Sequence, residues 1–118
     1  MPFKSPLQRL ADIIESIDAI ESFSSGMAYA DFVQDRQTIY AVTRALEINS
    51  EASRHLPEDL KDRHPEIDWR GIAAAGNVYR HEYEAVDDAL VWPTVKHDLR
   101  PLRSVIVAEI ERARAPSA

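Results

Sequence analysis

The chain has 118 residues, with 14 Lys and Arg against 20 Asp and Glu, four His and no Cys, giving a net charge of -6. That length suits one hydrophobic core and is short for two ordinary domains. Zero cysteines exclude disulfides, thiolate metal sites and cysteine nucleophiles, and the acidic balance excludes an indiscriminate nucleic-acid binder, which needs a clustered basic surface.

The first residues, Met1-Pro2-Phe3-Lys4-Ser5-Pro6, hold no apolar signal region, and no run of about 18 apolar residues follows, so a soluble, cytoplasmic protein with no membrane partner is expected. His55, His64, His81 and His97 show no tight two-His spacing. Neither a metal nor another cofactor is expected from them. Up to Asp35 there are six acids and two bases, whereas from Arg36 to Arg80 there are seven of each. Any contact with RNA should therefore come from the middle of the chain.

Ser5-Pro6-Leu7-Gln8 reads as a helix start, with Ser5 as N-cap, Pro6 at the first helical position and Gln8 completing a capping box. Leu7, Leu10, Ile13 or Ile14, Ile17 and Ile20 continue as one amphipathic stripe to about Phe23. Ser24-Ser25-Gly26 stops it. A short helical turn from Tyr29 to Val33 leads to a second long helix over Asp35 to about His55. Ile39, Val42, Leu46 and Ala52 supply its buried face, and Asn49 and Ser53 interrupt that face. Each interrupting polar residue is either partnered in the core or turned toward a second subunit.

Pro57 opens a further short helix, which His64-Pro65 ends because the residue before proline is pushed out of helical geometry. Asp68 is the expected N-cap of the next helix, with Ile67 and Ile72 as a hydrophobic staple. That helix carries Trp69, Ile72 and Val78. Asp87-Asp88 begins another piece through Trp92, which Pro93 should kink or shorten. Asp98 is expected to cap the last helix, in which Leu99, Leu102, Ile106 and Ile110 form the stripe and Pro101 is harmless in the first turn. Strand-like alternation is missing throughout, and the pattern is that of an all-α bundle.

The chemistry is concentrated in Asn77-Val78-Tyr79-Arg80-His81-Glu82-Tyr83. At helical spacing Asn77 and His81 share a stripe, with Arg80 on its flank. An imidazole can exchange a proton near neutral pH, and a guanidinium can grip phosphate oxygens bidentately. These groups suffice for metal-free RNA cleavage by attack of the 2′-hydroxyl on the adjacent phosphorus. The bland alternatives are a core or surface His81, an Arg80–Glu84 surface ion pair at i+4, and a Tyr83 that packs its ring and exposes its hydroxyl. Trp69 and Trp92 sit at apolar helical positions and read as core or interface anchors before RNA-stacking platforms. Arg100/Arg103 and Arg112/Arg114 read as solvated faces, the first pair able to widen a positive rim.

The succession Arg44-Ala45-Leu46-Glu47-Ile48, Glu51-Ala52, His64-Pro65-Glu66-Ile67-Asp68-Trp69, Asn77, His81-Glu82-Tyr83, Val86-Asp87 and Trp92 resembles the HepT-like branch of the HEPN ribonucleases. The likeness runs from about Leu7 to Ile110. It implies a single HEPN-like helical domain over residues 1–118, ordered over about 6–112. The implied architecture is an antiparallel bundle of four to five main helices that forms a homodimer through the motif helix.

The family signature is Arg-Asn-x-x-x-His-x-Tyr, in which Arg and His cleave RNA without a metal and Tyr receives AMP from a minimal nucleotidyltransferase antitoxin. Asn77, His81 and Tyr83 match that signature. Gly76 stands where the family has its arginine, and Arg80 lies one helical turn further on. Helical side chains lean toward the N-terminus, so Arg80 could reach back over the space at Gly76. The resemblance thus implies an endoribonuclease toxin of a type VII-like toxin-antitoxin pair. Arg80 and His81 would be catalytic, Asn77 supporting, and Tyr83 the site of AMPylation. The alternative is an inactive dimeric module that binds the nucleotidyltransferase without cutting RNA.

Overall fold

The computed structural model describes residues 4–74 and 88–115, and among them there are helices and turns with no strand. The first helix, α1 (Pro6–Ser24), starts as its sequence dictates: the Ser5 hydroxyl accepts from the Gln8 amide at 3.2 Å, and the Gln8 side chain accepts from the Ser5 amide at 2.7 Å. Two backbone donors that the helix cannot satisfy internally are thereby paired. The stripe of Leu10, Ile13, Ile17 and Ile20 is buried, while Leu7 and Ile14 lie at its edge. Gly26 turns the chain at φ +73°, a left-handed conformation that a side chain would strain.

One helical turn, α2 (Tyr29–Phe32), drives Phe32 fully into the core. The next long helix, α3 (Arg36–Arg54), begins at Asp35, whose carboxylate accepts from the Thr38 amide at 3.0 Å. That bond holds the Asp35 carboxyl below its ordinary pKa. Val42, Ala45, Leu46 and Ala52 form the buried face. The open question about its polar interruptions is answered within the chain. Asn49 donates to the Ser16 hydroxyl of α1 at 3.2 Å, and Ser53 donates to the Ser50 carbonyl at 2.8 Å.

Pro57 leads into α4 (Glu58–Asp62), and α5 starts at 69 and is described to 74. On the far side of the undescribed residues come α6 (Asp88–Pro93), a π-helical turn (Thr94–Asp98) and α7 (Leu99–Arg114). Here the sequence expectation needs correcting. Asp98 has helical dihedrals (φ -80°, ψ -27°) and makes no side-chain cap, because α7 continues an existing helix. Pro101 has no N–H to offer the carbonyl four residues back, and the wider π-turn preceding it absorbs the altered register, so the chain stays helical past both prolines.

The long helices are antiparallel. Ser16 meets Asn49, while residues near the start of α1 meet Glu51 and Ala52 near the end of α3. Asp18 meets Arg103, and Ser24 lies beside Lys96. Buried side chains from α1, α2, α3, α4, α6 and α7 form one continuous cluster with Leu56 and Ile67, the apolar burial that drives the packing. Among the described residues, no helix is long and apolar enough to cross a membrane.

Candidate functional site

Asn77, Arg80, His81 and Tyr83 all lie outside the described residues, as does Gly76. What the structure does give is the frame that receives the chain on either side of them, and its chemistry is unusual for a small bundle.

Upstream, Asp68 caps α5 as its sequence predicts, accepting from the Gly71 amide at 3.0 Å. The Trp69 indole N–H donates to the carbonyls of Lys61 at 3.2 Å and His64 at 3.1 Å. That shared bond folds the α4–α5 connection over the indole, so Trp69 is an anchor of the frame. The Ser50 hydroxyl of α3 donates to the Ile72 carbonyl at 2.7 Å and ties α5 to the bundle. Ile67 is buried beneath the connection.

The strongest tie is ionic. Glu109, on α7, is only 5 % exposed, and Arg63 grips it with Nε at 3.3 Å and a terminal nitrogen at 2.6 Å. His64 Nε2 lies 2.6 Å from Glu109 Oε2, the oxygen that also accepts from Arg63 Nε, while its Nδ1 faces Glu66 at 3.6 Å. The Arg63 bonds hold the Glu109 carboxyl below the usual carboxylate range, opposed by burial and reinforced by His64. Such a carboxylate is tolerable in the core only because it is paired on both oxygens. Sequence reasoning missed this cluster. Its one signal was an acid three residues after Ile106 on an otherwise apolar stripe.

Downstream, Val91 is buried and Trp92 stacks on Phe32, with centroids 4.8 Å apart. Trp92 is therefore also a core anchor, and Lys96 lies over its ring at 4.6 Å from the centroid. The described residues on either side of Asn77–Tyr83 are thus anchored to the bundle, Ile72 through Ser50 and Trp92 through Phe32.

The described residues thus define an all-α antiparallel helical bundle. Comparison with known proteins makes the assignment specific. The family described as Ribonuclease HepT-like matches residues 13–109, and the chain belongs to that family. The probable ribonuclease HepT of Thermococcus cleftensis is 45% identical over 94 residues, which are 80% of this chain and 86% of that protein. Two candidate RNases of Methanocaldococcus jannaschii are 33% identical over 82% of this chain and 89% of the relative, and 32% identical over 94% of each. No solved structure matched the chain.

Proposed function

We propose that the protein is a metal-independent endoribonuclease in which Arg80 and His81 carry the reaction. It works as a homodimer joined through the motif helix, as the toxin of a type VII-like pair whose minimal nucleotidyltransferase antitoxin silences it by AMPylating Tyr83. The observation that carries this reading is the Asn77–His81–Tyr83 spacing within a chain of the HepT-like ribonuclease family.

In the proposed reaction His81 takes the proton from a ribose 2′-hydroxyl, and the freed oxygen attacks the adjacent phosphorus. The bond to the 5′-oxygen breaks, and the proton on His81 passes to that leaving oxygen. The products are a 2′,3′-cyclic phosphate and a 5′-hydroxyl. Arg80 stabilises the charge gathering on the phosphoryl oxygens, and Asn77 orients His81 or a phosphate. In AMPylation the Tyr83 oxygen displaces pyrophosphate from ATP. The bound nucleotide then places negative charge and bulk where substrate phosphate must sit.

Cleavage of labelled RNA by purified protein tests the assignment. His81→Ala should lower the rate by about 10²–10⁴-fold, the usual worth of a general acid–base. Arg80→Ala should lower it by about 10²–10³-fold, as removal of a charge-stabilising donor does. Equal rates in wild type and Arg80→Ala would rule out the relocated arginine. Tyr83→Phe should abolish AMP transfer and leave cleavage intact. One feature favours a second reading, a binding module without nuclease activity: Gly76 occupies the place of the family arginine. Growth arrest on overexpression that disappears in His81→Ala separates the enzyme from the module.

A further inference from the structure

A hollow of about 220 Å³ opens where the end of α1 and the Gly26 turn meet the π-turn and the start of α7. Lys96, Arg100 and Arg103 line it together with a single carboxylate, Glu21. Arg103 is occupied by Asp18, at 2.8 and 3.3 Å. Neither Lys96 nor Arg100 has a carboxylate partner among the described residues. In a chain of net charge -6, two cations on one face with no carboxylate partner among the described residues offer a place for an anion.

Aromatic rings continue the same face. Lys96 lies over Trp92, and Trp92 touches Tyr29 with centroids 6.2 Å apart at 56°. Phe32 backs Trp92 from the core, so this ring is fixed in place. Tyr29 is 41% exposed and offers its ring to solvent. Tyr29, Trp92, Lys96 and Arg100 thus form a strip that runs from an exposed ring to two cations without a carboxylate partner among the described residues. Single-stranded nucleic acid is bound by that combination, bases stacking on rings and phosphates lying along cations. A duplex would not offer its base faces to Tyr29, and an acidic peptide would have no use for an exposed ring beside the charges.

We infer that this strip is a binding track for single-stranded RNA, separate from the Asn77–Tyr83 segment, in which Tyr29 stacks a base and Lys96 and Arg100 hold successive phosphates. The choice of RNA rests on the ribonuclease reading above. The track follows that segment closely in the chain, since Trp92 comes nine residues after Tyr83.

The test is fluorescence anisotropy of the full chain with a labelled, 2′-O-methylated single-stranded oligonucleotide, which lacks the nucleophile and so reports binding alone. Lys96→Gln/Arg100→Gln should weaken binding about tenfold and flatten the dependence of log affinity on log salt by about 1.4, two phosphates at ~0.7 each. Tyr29→Ala should weaken it about fivefold or more, with Tyr29→Phe near wild type, because stacking needs the ring and not the hydroxyl. The control is Arg112→Gln/Arg114→Gln, which removes two exposed charges elsewhere. No binding by wild type, no change in the Lys96/Arg100 variant, or an equal loss in the control would each overturn the track. Cutting of unmodified RNA is scored separately. A protein that cuts but ignores Lys96 and Arg100 loses the track and keeps the nuclease, whereas one that binds through the track and cuts nothing does the reverse.

Discussion

Among the polar joints between described elements of this bundle, two are built on opposite principles. Between α1 and α3 the joint is neutral: Asn49 donates to Ser16, which itself donates to the Ile13 carbonyl at 2.8 Å. Between the α4–α5 connection and α7 it is ionic, with Glu109 held by Arg63 and His64. A neutral joint costs little to desolvate and sets helix register. An ionic joint is costly to form and still more costly to break from one side, so it pins its elements together. The pinned elements are those leading into the proposed catalytic segment, whereas the neutral joint serves packing remote from it in sequence.

The sharpest way to break that contrast is Glu109→Ala. Removing the carboxylate leaves Arg63 and His64 without their shared partner, and should cost about 2–3 kcal/mol, less than for a wholly buried pair because Arg63 partly reaches water. Urea unfolding measures it as a lower midpoint at unchanged slope. If the joint positions the catalytic segment, RNA cleavage by this variant should fall at temperatures where it remains folded.

The same joint carries a pH signature that the neutral one lacks. Glu109 has a folded pKa below its unfolded value, so its contribution is complete above an unfolded pKa of about 4.3 and fades as pH falls through the folded value. Glu109→Gln should therefore be less stable than wild type near pH 7, and the two should converge as pH falls into the acid range. Asn49→Ala should cost about 1 kcal/mol, the usual worth of a buried neutral hydrogen bond, by an amount that does not change with pH. A pH-dependent Asn49→Ala penalty would erase the distinction between the joints.

How far these joints could be read from sequence follows from how far apart their partners lie. The Ser5–Gln8 capping box and the Asp68 cap are local, each closed within three residues, and both were legible. Asn49 announced itself as a polar break in an apolar stripe, but its partner lies 33 residues away, and core and subunit contact stayed equally open. Glu109 and Arg63 are 46 residues apart, a separation no spacing rule addresses. The π-turn was missed because Pro93 and Asp98 carry ordinary stop and start signals, and only the packed helix reveals that the chain runs through them. For the site, the residue types at Asn77, Arg80, His81 and Tyr83 are what carried the proposed phosphate chemistry, whereas which groups face one another depends on packing that no spacing rule supplies.

The hydroxyls of the core supply the finest test. Ser16, Ser24 and Ser53 are buried, and each donates to a carbonyl three or four residues back at 2.8 Å. Thr43, buried on α3 beside Val42, has no hydrogen-bond partner for its hydroxyl among the described residues. A buried hydroxyl without a partner loses its water and gains nothing in return. Thr43→Val replaces it with a methyl of similar size and should stabilise the fold by about 0.5–1 kcal/mol. Ser53→Ala, which deletes a satisfied hydroxyl, should destabilise it by about as much. Opposite signs from two substitutions on one helix would show that pairing decides what a buried polar group is worth here; a destabilising Thr43→Val would mean that its hydroxyl has a partner in solution.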